Sequence, residues 1–117
     1  MKINHRQEAQ VQVFEVDGEV DFHTSPELRE KLHNVLEKKF DKILISLKKV
    51  RYIDSSGLAT FVEALQKIKR YQGKLVISDI EPQVKSIFEI AKLDSIFAFA
   101  GSLQEAFAML NSTEASS

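Results

Sequence analysis

Apolar and polar positions along the 117-residue chain alternate in two rhythms, one of period two and one of helical period. From Val11 to Val16 the pattern has period two: Val11 and Val13 interleave with Gln12, and Phe14 comes one position early before Glu15. β-Branched and aromatic residues in that rhythm predict a strand with one slip at Phe14. A shorter strand is expected over Lys2 to His5, and Asp17-Gly18 predicts a turn or bend near the end of the second strand. Thr24 and Glu27 then stand at capping-box spacing, with Pro26 in the first turn, where a missing N–H does no harm. Leu28, Leu32, Val35 and Leu36 recur at helical spacing, with Glu30, Lys31 and Glu37 on the other face, so an amphipathic helix follows.

The next run, Ile43, Leu44, Ile45 and Leu47, is nearly continuous and apolar, as in a central strand covered on both faces. A basic turn is expected at Lys48-Lys49, followed by Val50, Tyr52 and Ile53. Leu58, Phe61, Val62, Leu65 and Ile68 make the stripe of a second long helix, ending near Tyr71 with Gly73 as its stop. A strand at Leu75-Val76-Ile77 precedes a helix from Pro82 that carries Val84, Ile87, Phe88 and Ala91 on one face. Residues Ile96 to Ala100 predict a last strand, and Ser102 to Leu110 a short helix with Leu103, Phe107 and Leu110 inward. Strands alternating with helices define an α/β class. The opening strands can pair as an antiparallel hairpin, whereas the later units need parallel crossovers, so the sheet is expected to be mixed. The pattern does not fix the strand order.

Composition narrows the function classes. One domain over residues 1–110 is expected, with 111–117 (NSTEASS) as a frayed tail. A hydrophobic share of 44% with eight Phe residues supplies a core without metal or crosslinks. The formal net charge of -1 gives no electrostatic case for nucleic acid or an anionic membrane. Lys67, Lys69 and Arg70 are read as the solvated face of a helix. With no Cys, thiolate chemistry is excluded; His5, His23 and His33 lack zinc-enzyme spacing. No cofactor is expected. The first ten residues hold no signal-peptide core, and no apolar stretch reaches the length of a membrane span, which together point to the cytoplasm.

The chemistry is concentrated in Tyr52-Ile53-Asp54-Ser55-Ser56-Gly57-Leu58, where a strand hands over to a helix. Two readings are open on these residues alone. Asp and Ser before an apolar helix are common N-caps. A helix N-terminus also carries partial positive charge, so a phosphate esterified to a hydroxyl there need not unfold its host. In the second reading Gly57 removes bulk beside the hydroxyls and lets a kinase approach. Asp54 either orients a hydroxyl or caps the helix. Phe61 is either core or an interface anchor. A serine nucleophile would need a base, and nothing marks one of the three His residues for that role; an enzyme is not expected.

The segment Asp54-Ser55-Ser56-Gly57-Leu58 after an apolar strand resembles the signature of the STAS family, the anti-sigma factor antagonists of bacteria. Gly18-Glu19-Val20-Asp21 ahead of a capped helix is similar to that family's second recurrent segment. Val84-Lys85-Ser86-Ile87-Phe88 with Leu93-Asp94-Ser95-Ile96-Phe97 is similar to the third. The matches fall in the family's order and cover nearly the whole chain. Ala59 departs from it, since many relatives carry Gly there; Ala is the better helix former, so a firmer first turn is expected.

The resemblance implies a mixed sheet with helices packed mainly on one face. It implies phosphorylation at Ser55, with Ser56 the less favoured acceptor and Asp54 and Gly57 in support. It implies a partner surface made of the Glu19 to His23 segment, with Glu19, Asp21 and His23, and of the exposed side of the helix from Ser55, with Ser56 and Leu58; Glu19 and Asp21 can equally be read as closing a solvated turn. The partners implied are an anti-sigma factor that is also a serine kinase of the histidine-kinase ATPase fold, and a PP2C-type phosphatase; ATP and magnesium belong to them. The unmodified chain would bind the anti-sigma factor and release a sigma factor. The alternative within the family is a non-phosphorylated interaction module of a transporter or signalling assembly.

Overall fold

The computed structural model describes residues 1–112. Nine elements run along the chain as β1 (Lys2–Glu8), β2 (Val11–Val20), α1 (Ser25–Glu37), β3 (Lys42–Ile53), α2 (Ser55–Lys69), β4 (Lys74–Ser78), α3 (Pro82–Ile90), β5 (Ala98–Ala100) and α4 (Leu103–Leu110). The strands form one five-stranded sheet in sequence order. β1 and β2 are antiparallel, and every later pair is parallel. The sheet is therefore mixed, as the strand–helix rhythm predicts.

The hairpin between β1 and β2 turns on Ala9 and Gln10, at φ values of 51° and 67°. Two consecutive left-handed residues are what a two-residue hairpin turn requires, here without the usual Asn or Gly. The slip at Phe14 has a simple cause: both faces of β2 are covered. Phe14 and Val16 pack in a main core with α1, α2 and α3, whereas Val11 and Val13 pack in a smaller core under α4. β3 divides in the same way, with Ile43, Ile45 and Leu47 on the main side and Leu44 beneath α4. Three helices thus cover one face and one helix the other.

Several local expectations are corrected. Gly18 does not end the strand; it sits at φ 121° among register shifts in β2, which continues to Val20. Lys48-Lys49 is not a turn, because β3 runs through it to Ile53 while pairing with β2. The last strand is shorter than expected: Ile96 lies in a turn, and Phe97 drops into the core edge-on to Phe88 at 5.4 Å. Ala91, expected on the inward face, is exposed beyond the end of α3. Past α2 the left-handed position is taken by Gln72 (φ 64°), not Gly73. Gly73 is required by close approach instead, since a Cβ there would lie 2.5 Å from Ile68 Cγ1. At the other end of the chain Asn111 is anchored rather than frayed, accepting from Lys42 Nζ at 2.9 Å and donating to Ala9 O at 3.2 Å. The rest of the expected tail, 113–117, lies outside the described residues.

Candidate functional site

Parallel pairing sets the site. Val20 and Ile53 are partners at the ends of β2 and β3, so the loop into α1 and the start of α2 leave the sheet side by side. The two sequence segments that carried the chemistry are thereby neighbours, though 33 positions separate Asp21 from Asp54.

Asp54 joins them. Its Oδ1 accepts from the amides of Ser56 at 2.9 Å and Gly57 at 3.1 Å, and its Oδ2 accepts from the amide of Phe22 at 3.0 Å. Its own amide donates to Val20 O at 3.1 Å, and its carbonyl accepts from Leu58 N at 3.0 Å. Asp54 is therefore the N-cap of α2, which decides between the two roles open to it. The carboxylate takes up two of the first three amides of the helix and the carbonyl receives the first regular helical bond, so the positive end of α2 is already largely satisfied.

Ser55 is the first residue of α2 and is exposed, while Ser56 is half-buried. Gly57 does not face outward. It is buried, and a Cβ there would stand 2.6 Å from Val20 O and 2.8 Å from Ile53 Cγ2. Its bareness lets the helix sit down on the strand ends; clearing space for an approaching kinase is not what the packing asks of it. Leu58 is only 8% exposed and belongs to the main core, so it supports the surface from beneath and cannot line it. Phe61 is fully buried.

The neighbouring loop is held by its own side chains. Asp21 Oδ1 accepts from the amides of His23 at 2.9 Å and Thr24 at 3.1 Å. Thr24 Oγ1 accepts from Asp21 N at 2.9 Å and donates to Glu19 O at 2.7 Å. The expected capping box is thus not formed, because the Thr24 hydroxyl serves the loop and makes no cap bond to α1. The Thr24 amide is the main cause that lowers the Asp21 pKa below its ordinary value, opposed by some burial and aided by His23. Glu19 and His23 are exposed and Asp21 is half-buried.

One residue of the Glu19 to His23 segment carries no individual reading in the sequence. Phe22 is 71% exposed, between Asp21 and His23, with its ring edge-on to the His23 ring at 5.4 Å. The available signal was a lone aromatic with no periodic partner inside a polar segment. Among the described residues, no helix is long and apolar enough to cross a membrane.

A mixed sheet with helices mainly on one face and an exposed hydroxyl on a capped strand-end helix agrees with the match to a known family. The chain belongs to the STAS domain family, whose model matches residues 2–106. Among curated proteins it is similar to the anti-sigma-B factor antagonist of Bacillus subtilis (strain 168), at 36% identity over 81 residues, covering 69% of this chain and 73% of that one. It is also similar to the anti-sigma-B factor antagonist of Listeria monocytogenes, at 32% identity over 96 residues, covering 82% and 83%. Among solved structures, the phosphorylated form of the Bacillus cell fate determinant SpoIIAA superposes with a TM-score of 0.75 at 16% identity, covering 94% of this chain and all of that one. At that identity the likeness is one of fold.

Proposed function

We propose that this chain is an anti-sigma factor antagonist switched by phosphorylation of Ser55. The unmodified form binds an anti-sigma factor, which is also a serine kinase of the histidine-kinase ATPase fold, and so frees a sigma factor. The kinase modifies Ser55 and the complex separates; a PP2C-type phosphatase restores binding. The observation that carries this reading is the exposed Ser55 at the start of α2, beside a loop whose acids, Glu19 and Asp21, can meet basic groups of a partner. The relatives named as anti-sigma-B factor antagonists support it.

A phosphoryl group adds about -1.5 to -2 charges at neutral pH. Asp54 already occupies the amides of Ser56 and Gly57, so a phosphate on Ser55 would find few donors in its own chain. It would lie next to a carboxylate and face the partner uncompensated. One like-charge pair at ~4 Å is worth up to about 4 kcal/mol at an effective dielectric of ~20. Half of that weakens binding roughly thirtyfold. A local electrostatic and steric block is sufficient, and no refolding is required.

The test uses the host's anti-sigma factor kinase with ATP and magnesium, read by intact mass and by binding. The parent chain gains one phosphoryl group. Ser55→Ala binds the kinase and gains none, and Ser55→Asp binds at least tenfold more weakly than the parent. A normal phosphoryl gain by Ser55→Ala would move the acceptor to Ser56 or elsewhere. A parent chain that binds the kinase and gains no phosphate would favour the non-phosphorylated interaction module.

A further inference from the structure

We infer that Phe22 is the apolar anchor by which the anti-sigma factor kinase docks on this chain, held in place by the same carboxylate that caps the phosphoacceptor helix. The inference rests on the proposed function and names, within the Glu19 to His23 contact segment, the side chain that anchors it.

Three observations converge on Phe22. At 71% this ring is among the most exposed apolar side chains described, so it is open to a partner, although a single exposed apolar residue is common and gains its meaning here from the next two observations. Its exposure does not come from looseness. The Phe22 amide is bonded to Asp54, the flanking amides of His23 and Thr24 to Asp21, and the Thr24 hydroxyl closes the loop onto Glu19. A side chain displayed on a backbone held at every step loses little freedom on docking, which is the property of an anchor residue. The third observation is position. The Phe22 amide is bonded to the residue immediately before Ser55, so the loop that carries the ring adjoins the ground a kinase covers to reach the Ser55 hydroxyl. The acids Glu19 and Asp21 both precede the ring in sequence, so the fitting partner has an apolar socket with basic groups on one side of it, next to its phosphoryl-transfer site.

The other very exposed apolar residue provides a control. Ile90 is 82% exposed, but it ends α3, which starts at the same end of the sheet as α2 and runs back to the opposite end. Nothing ties it to Ser55.

The experiment uses the full chain and the kinase that modifies the parent at Ser55. Phe22→Ala should weaken binding by roughly tenfold to a hundredfold, the loss expected for one aromatic side chain removed from a covered site. In the phosphorylation assay it should raise KM by a similar factor and leave kcat unchanged, because the ring docks and does not react. Phe22→Leu should recover a large part of the binding. The thermal midpoint should be unchanged in both variants, and Ile90→Ala should bind like the parent. Binding of Phe22→Ala within about twofold of the parent would overturn the inference while leaving the Ser55 reading intact. A fall in kcat at constant KM, or a lowered thermal midpoint accompanying the loss, would overturn it by giving Phe22 a chemical or structural role. Failure of the parent chain itself to accept phosphate would remove the proposed function and this inference with it.

Discussion

Gly57→Ala should destabilise the protein, although it replaces the poorer helix former with the best. Helix propensity alone favours Ala over Gly by about 1 kcal/mol. Space argues the other way. The new Cβ would stand 2.6 Å from Val20 O, 2.8 Å from Ile53 Cγ2 and 2.9 Å from Val20 Cγ1, all well inside van der Waals contact. The first of these is backbone, held by the Asp54 amide at 3.1 Å, and cannot swing aside like the end of a side chain. Relief requires the start of α2 to lift off the strand ends by roughly half an ångström or more. That movement would stretch the bond from the Gly57 amide to Asp54, already at 3.1 Å. Overpacking of this kind costs about 1–3 kcal/mol, and weakening a bond to a charged acceptor adds to it. The net expectation is a loss of about 1–2 kcal/mol, or a fall in thermal midpoint of about 4 °C per kcal/mol for a domain of this size. Urea unfolding followed by circular dichroism, with an unchanged slope, measures it. A Gly57→Ala variant as stable as the parent, or more so, would refute the packing argument and return the glycine to a role in partner access.

Asp54→Ala removes the acceptor of three amides and should cost about 1–3 kcal/mol by the same urea assay, whereas Asp54→Asn, which keeps an N-cap oxygen, should lose clearly less; equal losses would contradict the capping role. Asp21 supplies a pH dependence. Its folded pKa is depressed below the ordinary 3.8, chiefly by the Thr24 amide, so its contribution is fully present above that value and is lost as pH falls through the folded pKa. Acid titrations of the parent and Asp21→Asn should therefore converge in stability below pH 3.8 and separate above it; parallel curves would exclude the loop carboxylate as the cause.

Regular periodicity made the helices legible. The stripes Leu28–Leu32–Val35–Leu36 and Leu58–Phe61–Leu65–Ile68 identify α1 and α2 because an amphipathic face must repeat with the helical turn. The handover from β3 to α2 was legible too, since an apolar strand followed by an acid and two hydroxyls before an apolar stripe marks a capped helix start. What escaped depended on neighbours distant in sequence. Lys48-Lys49 reads as a turn because its charges break an apolar run, yet pairing with the far end of β2 holds it extended. The hairpin at Ala9-Gln10 carries no turn residue, so strand register overrides local preference there. Gly73 was assigned to conformation when its reason is the closeness of Ile68. Gly57, Thr24 and Phe22 share one cause. The role of each depends on the ends of β2 and β3 being adjacent, which spacing within either segment does not reveal.

The way Asp54 gathers amides has a consequence for reversal. A phosphoserine that its own helix could cradle would turn inward and become a poor target for hydrolysis. Here the cradle is already occupied by a side chain of the fold, so a phosphate placed on Ser55 would stay on display, as open to removal as the hydroxyl is exposed.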